Sequence, residues 1–252
     1  MAEQKHGVLS TDISDGVMTL TMNRPDKHNA LNRELGGALA EALADAEADD
    51  SISVVVLTGS GEKAFSAGAD MGEQLNPETR GGAEKAIAAA ASFTKPLVGA
   101  INGVAYGGGA LLAATCDLRY GCSATAFKFL GATYGLVVGG SHLPRIVGEA
   151  RAKELIFTAR VVSAADALAM GLLNAVYEAD QLRQETHAVA QTIAANSLAA
   201  LVASKRVIDT ALPIDGAWQM EASYNRELRG SDDQARRFGA AAARILGKEQ
   251  AG

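Results

Sequence analysis

The beginning of the chain alternates between apolar and polar positions. Val8 to Ile13 and Val17 to Met22 read as two strands, and the Asp15-Gly16 pair between them reads as a tight hairpin turn. The period then changes: Leu35, Leu39, Ala42, Leu43 and Ala46 recur on one face of a helix predicted over Asn32 to Ala48. Ser53 to Thr58 is a continuous, Val-rich apolar run, as expected of a strand covered on both faces in a parallel sheet. An alanine-rich helix over Ala83 to Phe93 leads through Lys95-Pro96 to another buried strand, Leu97 to Ile101. Past the glycines at 107–109 the pattern predicts a helix to Ala114, then a strand around Leu118 to Tyr120. From Ser141 onward it is nearly all helical apart from Leu172 to Tyr177, with Ala, Leu and Ile at helical spacing in 198–211 and 231–246.

Strands alternating with helices predict an α/β fold with a parallel sheet. The core is expected over residues 1–190 and a helical portion over 191–252, packed as one unit because no Pro/Gly/Ser-rich linker divides them. The 252 residues suffice for this, and 48% hydrophobic with 21% charged residues excludes a disordered chain. A net charge of −6 argues against a nucleic-acid partner, which needs clustered Lys and Arg. It leaves a small anionic ligand open, since a few cations or helix N-termini can hold one. The start, MAEQKHGVLS, lacks a signal-peptide pattern, and no apolar run approaches the roughly 20 residues of a membrane helix. A cytoplasmic location without membrane association is therefore expected. Cys116 and Cys122 lack zinc-ligand spacing and read as reduced, buried thiols, with no metal expected.

Two loops carry the chemistry. Lys63-Ala64-Phe65-Ser66-Ala67-Gly68-Ala69-Asp70-Met71 follows the first buried strand, and Asn102-Gly103-Val104-Ala105-Tyr106-Gly107-Gly108-Gly109 follows the second and opens a helix. Both lie at C-terminal strand ends, where open α/β sheets form ligand crevices. Three successive glycines lose much conformational freedom on folding, so they need a reason. Either backbone N–H groups approach a carbonyl oxygen that becomes an oxyanion, or the glycines serve a tight turn and close packing.

Other motifs weigh less. Gly59-Ser60-Gly61-Glu62-Lys63-Ala64 fits the dinucleotide fingerprint, but Phe65-Ser66-Ala67-Gly68 keeps the chain in a loop where a helix should begin. The Walker pattern and the Gly-x-Ser-x-Gly elbow are both missing. His142, beside Ser141, is a candidate base, read first as facing solvent or a helix neighbour; His6, His28 and His187 lie in segments without convergent partners.

Taken together, Asn23-Arg24-Pro25, Asn29-Ala30-Leu31, AFSAGADM, INGVAYGGGALLAATCDLRY and RAKELIFTARVVSAADALAMGLLNAV resemble the crotonase (enoyl-CoA hydratase/isomerase) superfamily in order and spacing over nearly the whole chain. The resemblance implies a crotonase (ClpP-like) spiral of ββα units with C-terminal helices, assembled as a homotrimer or a hexamer of paired trimers. It implies an acyl-CoA thioester as ligand and no separate cofactor, because coenzyme A arrives with the substrate. The backbone N–H groups of Ala69 and Gly108 would form the oxyanion hole, and Ala69, Asp70, Met71 and Gly72 would line the acyl-pantetheine path. Arg244 sits where some relatives direct a cation at the CoA phosphates.

The sequence departs from the hydratases in that family. Their two glutamates correspond to Leu111 and Gly131, neither of which transfers a proton. Asp70 and Asp117 read as structural. Naphthoate synthases also have glycine at the position of Gly131 and are thought to recruit bicarbonate, but their Asp-Gly-Gly is here Val138-Gly139-Gly140 in a shorter loop. The expectation is isomerase, lyase or decarboxylase-type chemistry rather than ordinary hydration, or a non-catalytic acyl-CoA carrier. His142, Tyr134 and a recruited ion remain the candidates for proton transfer. Leu111, Leu130, Ala132, Val137 and Val138 predict an apolar acyl pocket.

Overall fold

A computed structural model describes residues 4–211 and 215–249; residues 1–3, and 212–214 and 250–252 of the expected C-terminal portion, lie outside the described residues. The alternating start forms one edge of a sheet. Strands β1 (Gln4–His6), β2 (Leu9–Ser14) and β3 (Val17–Met22) pair antiparallel. Pairing of Ser14 with Val17 leaves Asp15 and Gly16 as the turn, at φ 51° and 78°, the two left-handed residues a tight hairpin requires. Helix α1 (Arg33–Ala48) begins where Asn32 Oδ1 accepts the Leu35 N–H at 3.0 Å, and it buries Leu35, Leu39, Leu43 and Ala46.

The chain then repeats one motif. Strands β4 (Val54–Gly59) and β5 (Ala64–Ser66) are followed by α2 (Met71–Gln74) and α3 (Gly82–Ser92). Strands β6 (Leu97–Ile101) and β7 (Val104–Tyr106) are followed by α4 (Gly108–Thr115). Strands β8 (Leu118–Cys122) and β9 (Ala126–Lys128) are followed by α5 (Leu143–Val147) and α6 (Glu149–Thr158). The first strand of each turn extends the large sheet in parallel, and the second joins a smaller parallel sheet. Strand β10 (Val162–Ser163) closes the small sheet; after α7 (Ala164–Ala169), β11 (Ala175–Tyr177) closes the large one. The orders are β1-β2-β3-β4-β6-β8-β11 and β10-β9-β7-β5. This is the expected α/β spiral of ββα units.

The main core lies between the sheets and α1, α3 and α4, with Leu20, Leu35, Leu57, Phe65, Phe127 and Phe129 fully buried. A Cβ on Gly36 would fall 2.0 Å from the Gly82 carbonyl, so α1 and α3 cross backbone against backbone. A second cluster, around Val54, Val56 and Val98, is covered by α8 (Leu182–Ala194) through Leu182 and Ala190. Three helices follow: α9 (Leu198–Ala211), α10 (Asp215–Leu228) and α11 (Asp232–Glu249). Lys205 ties α9 to the core through Asp117 Oδ2 at 2.8 Å and the Lys95 carbonyl at 3.0 Å. Cys116 and Cys122 are free and buried, and desolvation pushes the Cys116 thiol up to about 12. Among the described residues no helix is long and apolar enough to cross a membrane.

Candidate active site

Each strand pair of the spiral ends in a loop, and the loops after β5 and β7 meet. A Cβ on Gly68 (φ 95°) would lie 2.6 Å from the Tyr106 carbonyl and 2.9 Å from the Gly108 nitrogen. The three glycines at the start of α4 have three different reasons. Gly107 takes φ 53°, a conformation L side chains rarely adopt. Gly109 packs so closely that a Cβ would stand 2.2 Å from the Ser66 carbonyl. A Cβ on Gly108 would sit 3.4 Å from the Ala69 nitrogen, so the Gly108 and Ala69 amides adjoin. The tight turn and close packing read from the sequence hold at Gly107 and Gly109, while Gly108 is placed beside the Ala69 amide. Neither the Ala69 nor the Gly108 N–H has a protein acceptor among the described residues.

Asparagine and arginine side chains fix this wall. Asn29, itself at φ 52°, donates to the Ser60 and Ala64 carbonyls at 3.0 and 2.9 Å, and its Oδ1 accepts the Arg24 N–H at 3.0 Å. Ser66 Oγ donates to the Asn29 carbonyl at 2.8 Å, and Asn102 Oδ1 accepts the Gly59 N–H at 3.0 Å. Arg24 reaches Asp70 Oδ2 at 3.0 Å, while Asp70 Oδ1 accepts the Gly72 N–H and caps α2. Asp70 and Asp117 thus have the structural partners the sequence suggested, Asp117 accepting the Leu97 N–H at 2.8 Å.

The paired amides open on a cavity of about 790 Å³. Ala69, Asp70, Met71, Gly72 and Gly108 all line it, so the structure brings together the residues predicted for the oxyanion hole and the acyl-pantetheine path. Leu111, Leu130, Val137 and Val138 supply its apolar wall; Ala132 does not, because the short helical turn at 132–134 leaves it exposed. Tyr134 lines the cavity, with its ring edge-on to Phe238 at 6.0 Å between centroids. Burial raises its pKa, opposed by nearby Arg244. Arg244 is exposed and is not among the lining residues. His28, expected to stand apart, is at the exposed mouth with Lys27 and Arg80.

Of the two surroundings read for His142, solvent or a helix neighbour, the structure shows the helix neighbour, Trp218 of α10. His142 is buried, its Nδ1 is 2.9 Å from Ser141 Oγ, and its ring meets Trp218 edge-on at 5.3 Å. Desolvation, helped by Arg145, lowers its pKa to about 4. Trp218, not His142, lines the cavity.

Sequence reasoning missed the part played by helix α10. Helix α10 carries Glu221 and Asn225 one turn apart, facing the loop at 137–141. Glu221, 6% exposed, accepts the Gly139 N–H at 3.0 Å and the Ser141 N–H at 2.8 Å, one on each oxygen. Asn225 accepts the Val137 N–H and donates to the Val137 carbonyl, both at 2.8 Å. The i, i+4 spacing of two polar residues was the available signal, but nothing local says that they face inward.

A model of the enoyl-CoA hydratase/isomerase family matches residues 12–233. A short-chain-enoyl-CoA hydratase of Clostridium acetobutylicum is 36% identical over 230 residues, covering 86% of this chain and 88% of that one. An enoyl-CoA hydratase/isomerase structure from Pseudoalteromonas atlantica superposes with TM-score 0.86 at 31% identity, over 95% of this chain and 97% of that one. A carnitinyl-CoA hydratase structure from Mycobacterium avium gives TM-score 0.87 at 29% identity, again over 95% and 97%. The fold, the loops and these matches agree that the chain belongs to the enoyl-CoA hydratase/isomerase (crotonase) family.

Proposed function

We propose that the protein binds an acyl-CoA thioester and stabilises its enolate with the N–H groups of Ala69 and Gly108, without the chemistry of an ordinary hydratase. The observation that carries this is the adjoining pair of unpartnered amides at the head of an apolar cavity. Such donors act where charge develops on the thioester oxygen, each typically worth about 3 kcal/mol of barrier. The acyl group would lie against Leu111, Leu130, Val137 and Val138, and the pantetheine along Ala69 to Gly72. Arg80, Arg226 and Arg229 line the cavity and suit the phosphates of the CoA tail. Hydration needs two carboxyl groups around one water, and positions 111 and 131 provide Leu and Gly. Isomerase, lyase or decarboxylase-type chemistry follows. A homotrimer or hexamer in the cytoplasm completes the reading, supported by the exposed Val207 and Ile208 on α9.

One observation favours a second reading, a non-catalytic acyl-CoA carrier. The cavity's carboxylates Asp70, Glu84 and Glu221 are all engaged by Arg24, Arg229 or backbone amides. Incubation with saturated and unsaturated acyl-CoAs in heavy water, followed by NMR, separates the two. Exchange at Cα or product formation supports enolate chemistry; tight binding with neither, for α-carboxylated thioesters too, supports the carrier; no binding rejects both.

A further inference from the structure

Helix α10 lines the cavity along its length. Trp218, Glu221, Ala222, Asn225 and Arg226 recur at helical spacing on the face turned to the cavity, and Arg229 follows just past the helix end. The two ends of this stripe differ. At one end Arg229 pairs with Glu84 at 2.8 Å, and the methyl of the adjacent Ala83 is what a Cβ on Gly108 would meet, at 3.3 Å. That end therefore stands level with the paired amides. Trp218 lies at the other end, about 16 Å away along the helix axis.

The loop opposite runs along the same stripe. Asn225 holds Val137, Glu221 holds Gly139 and Ser141, and the Trp218 ring meets His142 edge-on at 5.3 Å between centroids. Leu111, one turn into α4 from Gly108, lines the cavity with Val138 and Trp218, and all three belong to the main core. Behind the indole stand Ser141 and His142, both buried and 2.9 Å apart from Oγ to Nδ1. An indole backed by buried groups cannot swing aside as a Leu or Met side chain can.

Resting on the thioester reading above, we infer that Trp218 closes the acyl end of the cavity and sets the longest chain it accepts. From Asn225, which holds the start of the apolar stretch at Val137, to Trp218 the helix rises about 10 Å. An extended chain advances about 1.2 Å per bond, so the substrate class is a hydrocarbon acyl-CoA of up to about eight carbons. Each methylene that enters this stretch leaves water and tightens binding by about fourfold. A chain that reaches the indole gains nothing from further carbons, because they would overpack a wall that is already filled.

Trp218 is the one tryptophan of the chain, so its emission reports the contact directly. The test titrates the intact protein with acetyl-, butanoyl-, hexanoyl-, octanoyl-, decanoyl- and dodecanoyl-CoA, following tryptophan emission and, by calorimetry, affinity. The expected affinity climbs by about fourfold per methylene to octanoyl-CoA and then levels or falls, while emission responds to octanoyl-CoA and not to acetyl-CoA. In Trp218→Ala the climb should continue through decanoyl- and dodecanoyl-CoA, with the shortest chains bound as before. Trp218→Leu, which keeps an apolar side chain on α10, should shift the break the same way and serves if the alanine variant does not fold. A break that stays in place in the folded variants overturns the inference and leaves the thioester reading intact. So does a wild-type affinity that climbs unbroken to dodecanoyl-CoA, or an emission that octanoyl-CoA changes no more than acetyl-CoA does. Absence of any acyl-CoA binding overturns both.

Discussion

The two long walls of the cavity are held by different means. The wall bearing Ala69 and Gly108 is backbone against backbone, where two strand-end loops touch through glycines at positions that admit no Cβ. The opposite wall, residues 131–141, takes its shape from side chains 80 to 88 residues away, through the four hydrogen bonds of Glu221 and Asn225. The first wall is fixed by steric exclusion together with the side chains of Arg24, Asn29, Ser66 and Asn102 from within the spiral, the second by polar groups on a helix outside it. A wall of the second kind can be altered without touching the amides.

The sharpest way to break this comparison is within the glycine triplet. Gly109→Ala forces a methyl into the Ser66 carbonyl, 2.2 Å away, and should destabilise the fold by about 3 kcal/mol or more, visible as a lower denaturant midpoint. Gly108→Ala meets nothing nearer than the Ala83 methyl at 3.3 Å, the Ala69 nitrogen at 3.4 Å and the Gly68 Cα at 3.7 Å. It should remain folded at a cost near 1 kcal/mol but lose about 100-fold in thioester chemistry, because the new methyl crowds the paired amides. Equal stability losses in the two variants would show that the triplet serves packing alone.

Glu221→Ala tests the other wall. It strands the buried Gly139 and Ser141 N–H groups, and should cost about 3 kcal/mol in chemical denaturation. Acyl-CoA affinity should fall as well, since Val137 and Val138 line the pocket from the same loop. Unchanged stability would mean that the loop holds its shape without α10.

The same wall should respond to pH through His142. Its pKa drops from 6.5 to about 4 on folding, by desolvation first and Arg145 second. Between these values the unfolded chain binds the proton and the folded chain does not, so stability is full above pH 6.5 and is lost as pH falls toward 4. The loss should be on the order of 2 kcal/mol, seen in urea midpoints between about pH 8 and pH 4, and smaller in His142→Asn. An unchanged slope in that variant would assign the pH dependence to other groups.

These walls also differ in how much of them could be read in advance. The hairpin turn at Asp15-Gly16, the amphipathic face of α1 and the Val-rich β4 follow from local spacing, and each matches within a residue or so. The glycine loops were legible because the positions that exclude a Cβ leave glycine as the residue that fits. The small sheet was not: β5, β7 and β9 have three residues each, too few for a period to show. Likewise, no local pattern distinguishes Glu221 and Asn225 from solvated helix residues, since their partners lie far along the chain. The contrast also bears on His142, whose ring packs on Trp218 of α10, 76 residues further along the chain.

The weakest tie between the walls is at the mouth, where Arg229 pairs with Glu84 on α3 at 2.8 Å. The two side chains are 28% and 49% exposed, so water screens the pair and chain entropy opposes it. Glu84→Gln should therefore lower stability by less than about 1 kcal/mol, well below the Glu221 variant, although both remove one carboxylate from the same cavity. Its effect on binding should have the opposite sign. Releasing Arg229 from its counter-charge adds an unneutralised cation to the mouth, so acyl-CoA should bind at least as tightly, and the gain should shrink as salt is raised. Calorimetric titration of an acyl-CoA at low and high salt checks this. Weaker binding in Glu84→Gln would mean that the ion pair shapes the mouth, and that side-chain contacts govern this edge as they govern the wall at 137–141.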